Sequence, residues 1–169
     1  MKEFKILLIS TLLLITGCGS DNQNLSAKEE AEIQNELKEI TTSSLKSWEP
    51  PFSDETFLDE FYQSENLLIV IDDFVMTGYA NWKNAVISSL KEEREQGYKM
   101  YKHIVDDVYI SALSKTSAVS TVFYTWDYIT KDDLHYNVKA RATTAYKKVD
   151  GKWKGVQFIV SHGEQKLIK

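Results

Sequence analysis

Cysteine is nearly absent: Cys18 is the sole example in 169 residues. No intramolecular disulfide can form, and no multi-cysteine metal site can be built. Proline is almost as scarce, and both copies, Pro50 and Pro51, are adjacent. Histidine is limited to His103, His135 and His162, none spaced as His-x-x-x-His. No metal site is expected from such a set. Glycine-rich phosphate loops, the dinucleotide fingerprint and the Gly-x-Ser-x-Gly elbow are all missing, so no cofactor is expected. Positive charge is in deficit, with 20 Lys and Arg against 25 Asp and Glu and a net charge of −5. An acidic surface repels phosphate backbones, which argues against a nucleic-acid partner. There is no run long enough to span a bilayer. The stretch of apolar and small residues from Ile6 to Ile15 has ten residues, against about 20 needed.

That stretch has a context of its own. Lys2 and Lys5 precede it, and Leu14-Ile15-Thr16-Gly17-Cys18 ends it. A charged start, a short apolar run and small residues before a cut describe a secretory signal. With a cysteine directly after the small residues, the segment resembles the bacterial lipobox. The resemblance implies a signal peptide over 1–17, removed before Cys18, and a thiol acylated with palmitate-type chains. Cys18 is then the lipidation site and the membrane partner is met through it. One acyl chain holds weakly, whereas the more than one chain the lipobox implies gives stable anchoring. Residues 18–25 read as the lipidated cysteine and a polar tether. The expected location is the cell envelope, outside the cytoplasm, on a bacterial membrane.

The remaining 26–169 is one domain's worth of chain. The whole sequence is 43% hydrophobic and 12% aromatic, enough apolar material for a core without a disulfide. Ser26 with Glu29 forms a capping box ahead of apolar residues at helical spacing: Ala27, Ala31, Leu37, Ile40, Leu45 and Trp48. Pro50-Pro51 ends this helix. Ser53-Asp54-Glu55 caps a short second helix carrying Phe57, Leu58 and Phe61. Asn66 to Ile71 reads as a strand, with Asp72-Asp73 and Thr77-Gly78 as turns around Phe74-Val75-Met76. Tyr79 to Glu95 returns to helical spacing and Gly97 stops it. From there the chain reads as long strands, over 98–113, 118–130, 134–149 and 152–161, rich in β-branched and aromatic residues. Lys131-Asp132-Asp133 and Asp150-Gly151 are the hairpin turns. Helices followed by antiparallel strands is an α+β order.

This order, with Thr144-Ala145-Tyr146-Lys147-Lys148-Val149-Asp150-Gly151-Lys152-Trp153-Lys154, resembles the nuclear transport factor 2-like (NTF2-like) superfamily and its SnoaL-like branch. Trp48 and Gly78 also stand where such domains place them. The resemblance covers 26–162 and implies a cone: helices packed in a strongly bent antiparallel sheet, with a pocket at the wide end. Members include isomerases, cyclases, dehydratases and non-enzymatic modules, so fold alone does not assign function. Gln157 and Ile159 occupy positions where members often carry histidine, and only Ser161 remains of that pattern.

Strand alternation divides the side chains into two faces. Similarity to the family favours Val122, Tyr124, Trp126 and Tyr128, then Tyr136 through Thr144 to Tyr146, then Val156, Phe158 and Val160 as inner. Tyr124, Trp126, Tyr136, Thr144, Tyr146 and Phe158 are therefore the expected ligand-binding residues. Apolar walls with few polar groups suit a small apolar or aromatic ligand, and such a role requires a cavity of about 300 Å3 or more. The plain alternative is that these rings fill the core of a bent sheet. Phe123, Trp153 and Ile159 fall on the opposite set, and an exposed apolar sheet face suits a homodimer.

No catalytic residue is assigned. Asp73 and His103 are the candidates, with Asp72-Asp73 reading first as turn residues and His103 as a surface residue. The favoured reading is a lipid-anchored, non-catalytic envelope module that binds a small ligand or a partner protein. Its rivals are an isomerase, cyclase or dehydratase using a pocket Asp or His, and a structural envelope component. The enzyme reading needs a titratable side chain inside the cavity, near a polarising group.

Overall fold

The structure, a computed structural model, describes residues 25–168. Cys18, the signal-like segment and most of the tether lie outside the described residues.

Helix α1 spans Ala27–Ser47. Its start is satisfied locally: the Glu29 backbone N–H donates to Ser26 Oγ and the Glu29 carboxylate accepts from the Ser26 backbone N–H at 2.9 Å. Ile33, Leu37, Thr41 and Leu45 are its buried stripe, one residue every fourth position on one face. Helix α2 is Asp54–Asp59, capped by Ser53, and buries Phe57 and Leu58. Helix α3, Tyr79–Gln96, buries Trp82, Val86 and Leu90 and stops at Gly97, whose φ of 68° is left-handed.

Six strands form one sheet: β1 Leu68–Ile71, β2 Phe74–Thr77, β3 Met100–Ser114, β4 Ser117–Ile129, β5 His135–Val149 and β6 Lys152–Leu167. Their order is β2-β1-β6-β5-β4-β3. The sheet is mixed, not purely antiparallel as expected. Strand β1 runs parallel to β6, pairing Leu68 with Gln157 and Ile71 with Val160. A parallel neighbour requires a crossover, and here the three long strands β3 to β5 supply it. Strand β6 also runs six residues beyond Ser161, because its polar end still pairs with β5, Leu167 opposite Tyr136.

Bulges correct the expected faces. In β6, Tyr146 pairs with Gly155 but Ala145 pairs with Gln157, leaving Val156 as an extra residue. One inserted residue reverses alternation. Trp153, expected on the outer face, is therefore turned inward and buried, packed with Ile33, Leu37, Ala118 and Tyr146. Val156, expected inward, sits in the bulge and is half-buried. Gly155 is needed at this point: a Cβ there would lie 3.0 Å from the Phe61 ring and 3.1 Å from the Thr144 methyl. A second bulge at Asp106 in β3 keeps Tyr101 and His103 facing inward at one end and Val108 and Ile110 at the other.

The core has three layers along α1. One end holds the Trp153 cluster. The middle holds Leu45, Val122, Tyr124, Ala142 and Val160. The far end, closed by α2 and α3, holds Phe57, Phe61, Trp82, Leu90, Tyr101 and Tyr128.

Candidate functional site

Between the C-terminal half of α1, helix α3 and the inner faces of β3 to β6 lies a cavity of about 200 Å3. Its walls carry eight aromatic side chains: Trp48, Phe57, Trp82, Tyr101, Tyr124, Trp126, Tyr146 and Phe158. The volume is below the roughly 300 Å3 at which ordinary small-molecule pockets begin, yet a dry cavity of about 150 Å3 holds a benzene ring. One compact ring or a similarly small group fits.

Five of the six expected pocket residues line this cavity: Tyr124, Trp126, Thr144, Tyr146 and Phe158. Tyr136 does not. It lies near the end of β5, opposite Tyr128 in register, and stacks on that ring at 5.3 Å. Alternation assigns a face, not a depth along the strand. Asp73 is exposed in the β1–β2 turn and does not line the cavity. His103 was expected at the surface, but lines the cavity and is largely buried, since the β3 strand leads under α1. Trp48, Trp82, Glu93 and His162 were not anticipated. Their helices and bulges, not their local sequence, bring them here, though Gly155 and Gly163 hinted at irregularity in β6.

The cavity has a hydroxyl-rich floor. Thr41, Ser44, Thr144 and Tyr146 line it. Thr41 Oγ1 donates to Ser120 Oγ at 3.1 Å. Burial raises the Tyr146 hydroxyl, opposed by hydrogen bonds to Thr41, Thr144 and Ser120. Behind the floor is Glu60, whose carboxyl burial pushes up to about 8, opposed by Ser44 and by the Lys154 charge.

At the rim, Asp72 and His162 form a pair. The His162 backbone N–H donates to Asp72 Oδ1 at 2.7 Å, and its ring Nδ1 lies 2.9 Å from Oδ2. Asp72 reaches this position from a left-handed backbone, φ 53°, which aspartate tolerates better than most residues. Burial opposes ionisation of Asp72, but the bonds and charge of His162 outweigh it and hold the carboxyl below its usual range. The Asp72 carboxylate fixes the ring through Nδ1, which leaves Nε2 free of that contact at the cavity edge.

The walls also hold polar atoms with no partner. Among the described residues, four buried side-chain nitrogen or oxygen atoms lack a hydrogen bond: Trp82 Nε1, Trp126 Nε1, His103 Nδ1 and Glu93 Oε2. All four belong to side chains of this one cavity. Leaving such a group unpaired costs about 1–3 kcal/mol, and native cores rarely concentrate the exceptions. Burial drops the His103 imidazole to about 4, opposed by a hydrogen bond to the Leu45 carbonyl, so the ring is neutral at physiological pH. Glu93 is raised by burial, against a hydrogen bond from the Tyr98 hydroxyl, and by neighbouring Glu92.

At the level of sequence, no protein-family model and no curated protein matches the chain. Solved structures do match. Hexachlorocyclohexane dehydrochlorinase LinA-type3 from Novosphingobium barchaimii LL02 superposes with a TM-score of 0.66 at 8% identity, covering 85% of this chain and 94% of that one. A scytalone dehydratase candidate from Novosphingobium aromaticivorans DSM 12444 gives 0.69 at 13% identity, over 83% and 91%. A dehydratase candidate of the NTF2-like family from Streptomyces avermitilis gives 0.64 at 12% identity, over 79% and 98%. The fold is NTF2-like. At these identities the likeness extends to the backbone and not to the chemistry.

Proposed function

We propose that this protein is a small-molecule-binding NTF2-like module, tethered through lipidated Cys18 to the outside of a bacterial membrane. The observation that carries the binding role is the placement of all four unpartnered buried polar atoms on side chains walling one aromatic cavity. An occupant that supplies partners removes that cost, and aromatic rings supply area and orientation. The supporting experiment is native mass spectrometry of the full chain purified from its own host. A bound small molecule, lost when Trp126 is changed to Ala, is the expected result. A bare protein mass under conditions that preserve known complexes would argue for a filled structural core. Mass spectrometry of the mature N-terminus tests the anchor: an acylated cysteine is expected, and an unmodified Met1 in native membranes would overturn it.

Asp72 and His162 favour a second reading, an enzyme that moves a proton. The pair supplies an oriented imidazole at the cavity edge, in place of the Asp73 first considered. Exchange of deuterium at an acidic carbon of the bound molecule, lost in His162→Gln, distinguishes this enzyme from a binder.

The outer sheet face supports a homodimer. Tyr109 and Phe123 are exposed there and meet edge-to-face at 5.9 Å. Sedimentation that falls to monomer in Phe123→Lys is the expected outcome; unchanged sedimentation would remove this surface from consideration.

A further inference from the structure

We propose that the cavity selects a small organic ammonium, a quaternary or tertiary amine bearing an oxygen function, with Glu93 as its counter-charge. This rests on the binding role proposed above and concerns which chemistry is selected. Three observations carry it.

The first is charge. No Lys or Arg lines the cavity. His103 is kept neutral by burial, and His162 is held against Asp72, where any positive charge is offset. An anion entering the cavity finds no compensating cation, and desolvating it there is unfavourable. The second is Glu93. One carboxyl oxygen is shut off from solvent without a partner, and the hydroxyl of Tyr98 engages the carboxyl. No salt bridge involving Glu93 occurs among the described residues. A carboxyl with no cationic partner, lining a cavity walled by rings, is matched by a cation of low hydration. The third is the set of rings. Tyr101 and Trp126 both line the cavity and lie 5.4 Å apart, centre to centre. Faces of Trp and Tyr attract cations electrostatically, most strongly where water is excluded. A quaternary ammonium has no N–H to satisfy, and the cavity volume of about 200 Å3 suits a group of that size. An oxygen on a short arm of the ligand accepts from the unpartnered indole N–H of Trp82 or Trp126.

The test compares choline with 3,3-dimethylbutan-1-ol, which has the same shape and hydroxyl but no charge. Both are titrated into the full chain and read by tryptophan emission and calorimetry. Choline is expected to bind at least about tenfold tighter than the alcohol. Glu93→Gln is expected to bring choline down to the alcohol's level. The wild-type comparison needs no variant, so a folding defect in Glu93→Gln leaves the question answerable. Equal binding of the two probes, or an unchanged preference in Glu93→Gln, overturns the ammonium assignment. So does binding of a phenol when neither probe binds, although the cavity's binding role then stands. If neither these probes nor a panel of neutral aromatic fragments perturbs the tryptophans, both the assignment and the binding role fail.

Discussion

The two ends of the cone are built from the same residue types to opposite effect. At the end away from the cavity, Trp153 is buried and its indole N–H donates to Glu36 Oε2 at 2.7 Å, while Lys148 lies 5.1 Å from the ring centre. At the cavity end, Trp82 and Trp126 are packed among rings and their N–H groups have no partner. The cavity's hydroxyls differ from its wall nitrogens: on the floor, Thr41, Ser120 and Tyr146 are networked with one another. One end is finished as a core is finished. The other retains unmet polar groups and empty volume, a pattern that functional sites show where stability is given up for ligand contacts.

Substitutions should separate the ends. The largest effect is expected from Trp153→Ala, which empties a filled layer and leaves Glu36 with Lys148 as its remaining partner. A loss of about 3–5 kcal/mol is expected, read as a lower urea midpoint with ligand binding retained in the folded fraction.

Glu60→Gln comes next and has a sign that depends on pH. The folded carboxyl is raised to about 8, from an ordinary 4.5. Between those pH values the folded state holds a proton that the unfolded state has lost, so the native protein loses stability as pH rises through this window. Glutamine has no such proton. The variant should match the native protein near pH 4 and exceed it by about 4 kcal/mol at pH 8, measured by denaturant titration at both pH values. A difference that does not change with pH would mean that Glu60 is ionised in the fold.

Gly155→Ala should cost about 1 kcal/mol by pressing a Cβ against Phe61 and Thr144. The same denaturant titration measures it, and the expected consequence for the site is a shifted Thr144. The smallest stability effect is expected from Trp126→Phe. It removes an unpaired N–H from a wall with spare volume, so the midpoint should move by no more than about 0.5 kcal/mol while binding falls. A loss as large as that of Trp153→Ala would erase the distinction between the ends.

Local chemistry made much of this legible in advance. Ser26 with Glu29, the paired prolines, Gly97 and Asp150-Gly151 are short-range signals, and each marks an element boundary in the fold. The resemblance around Tyr146 to Trp153 carried the architecture. What could not be read was counted rather than local. Alternation assumes two residues per repeat, and the extra residues at Asp106 and Val156 shift the count without a strong signature. Trp153 was misplaced for that reason. Pairing of β1 with β6 is a contact across about 90 residues of chain, and nothing near Leu68 announces a parallel partner. His162 and Asp72 meet through that same pairing, which is why Asp73 looked as good a candidate as its neighbour. Glu93 stands in a charged run at the end of α3, and only the packing of Tyr98 and Tyr101 distinguishes it from Glu92.

The space between Trp82, Trp126 and His103 is made to be occupied. The most direct test is a crystal structure of the full chain soaked with small aromatic and ammonium fragments. Fragment density is expected in that space, with at least one of Trp82 Nε1, Trp126 Nε1, His103 Nδ1 and Glu93 Oε2 gaining a hydrogen bond or an ion pair. Rings closed onto one another, with no volume left and no fragment bound, would contradict it.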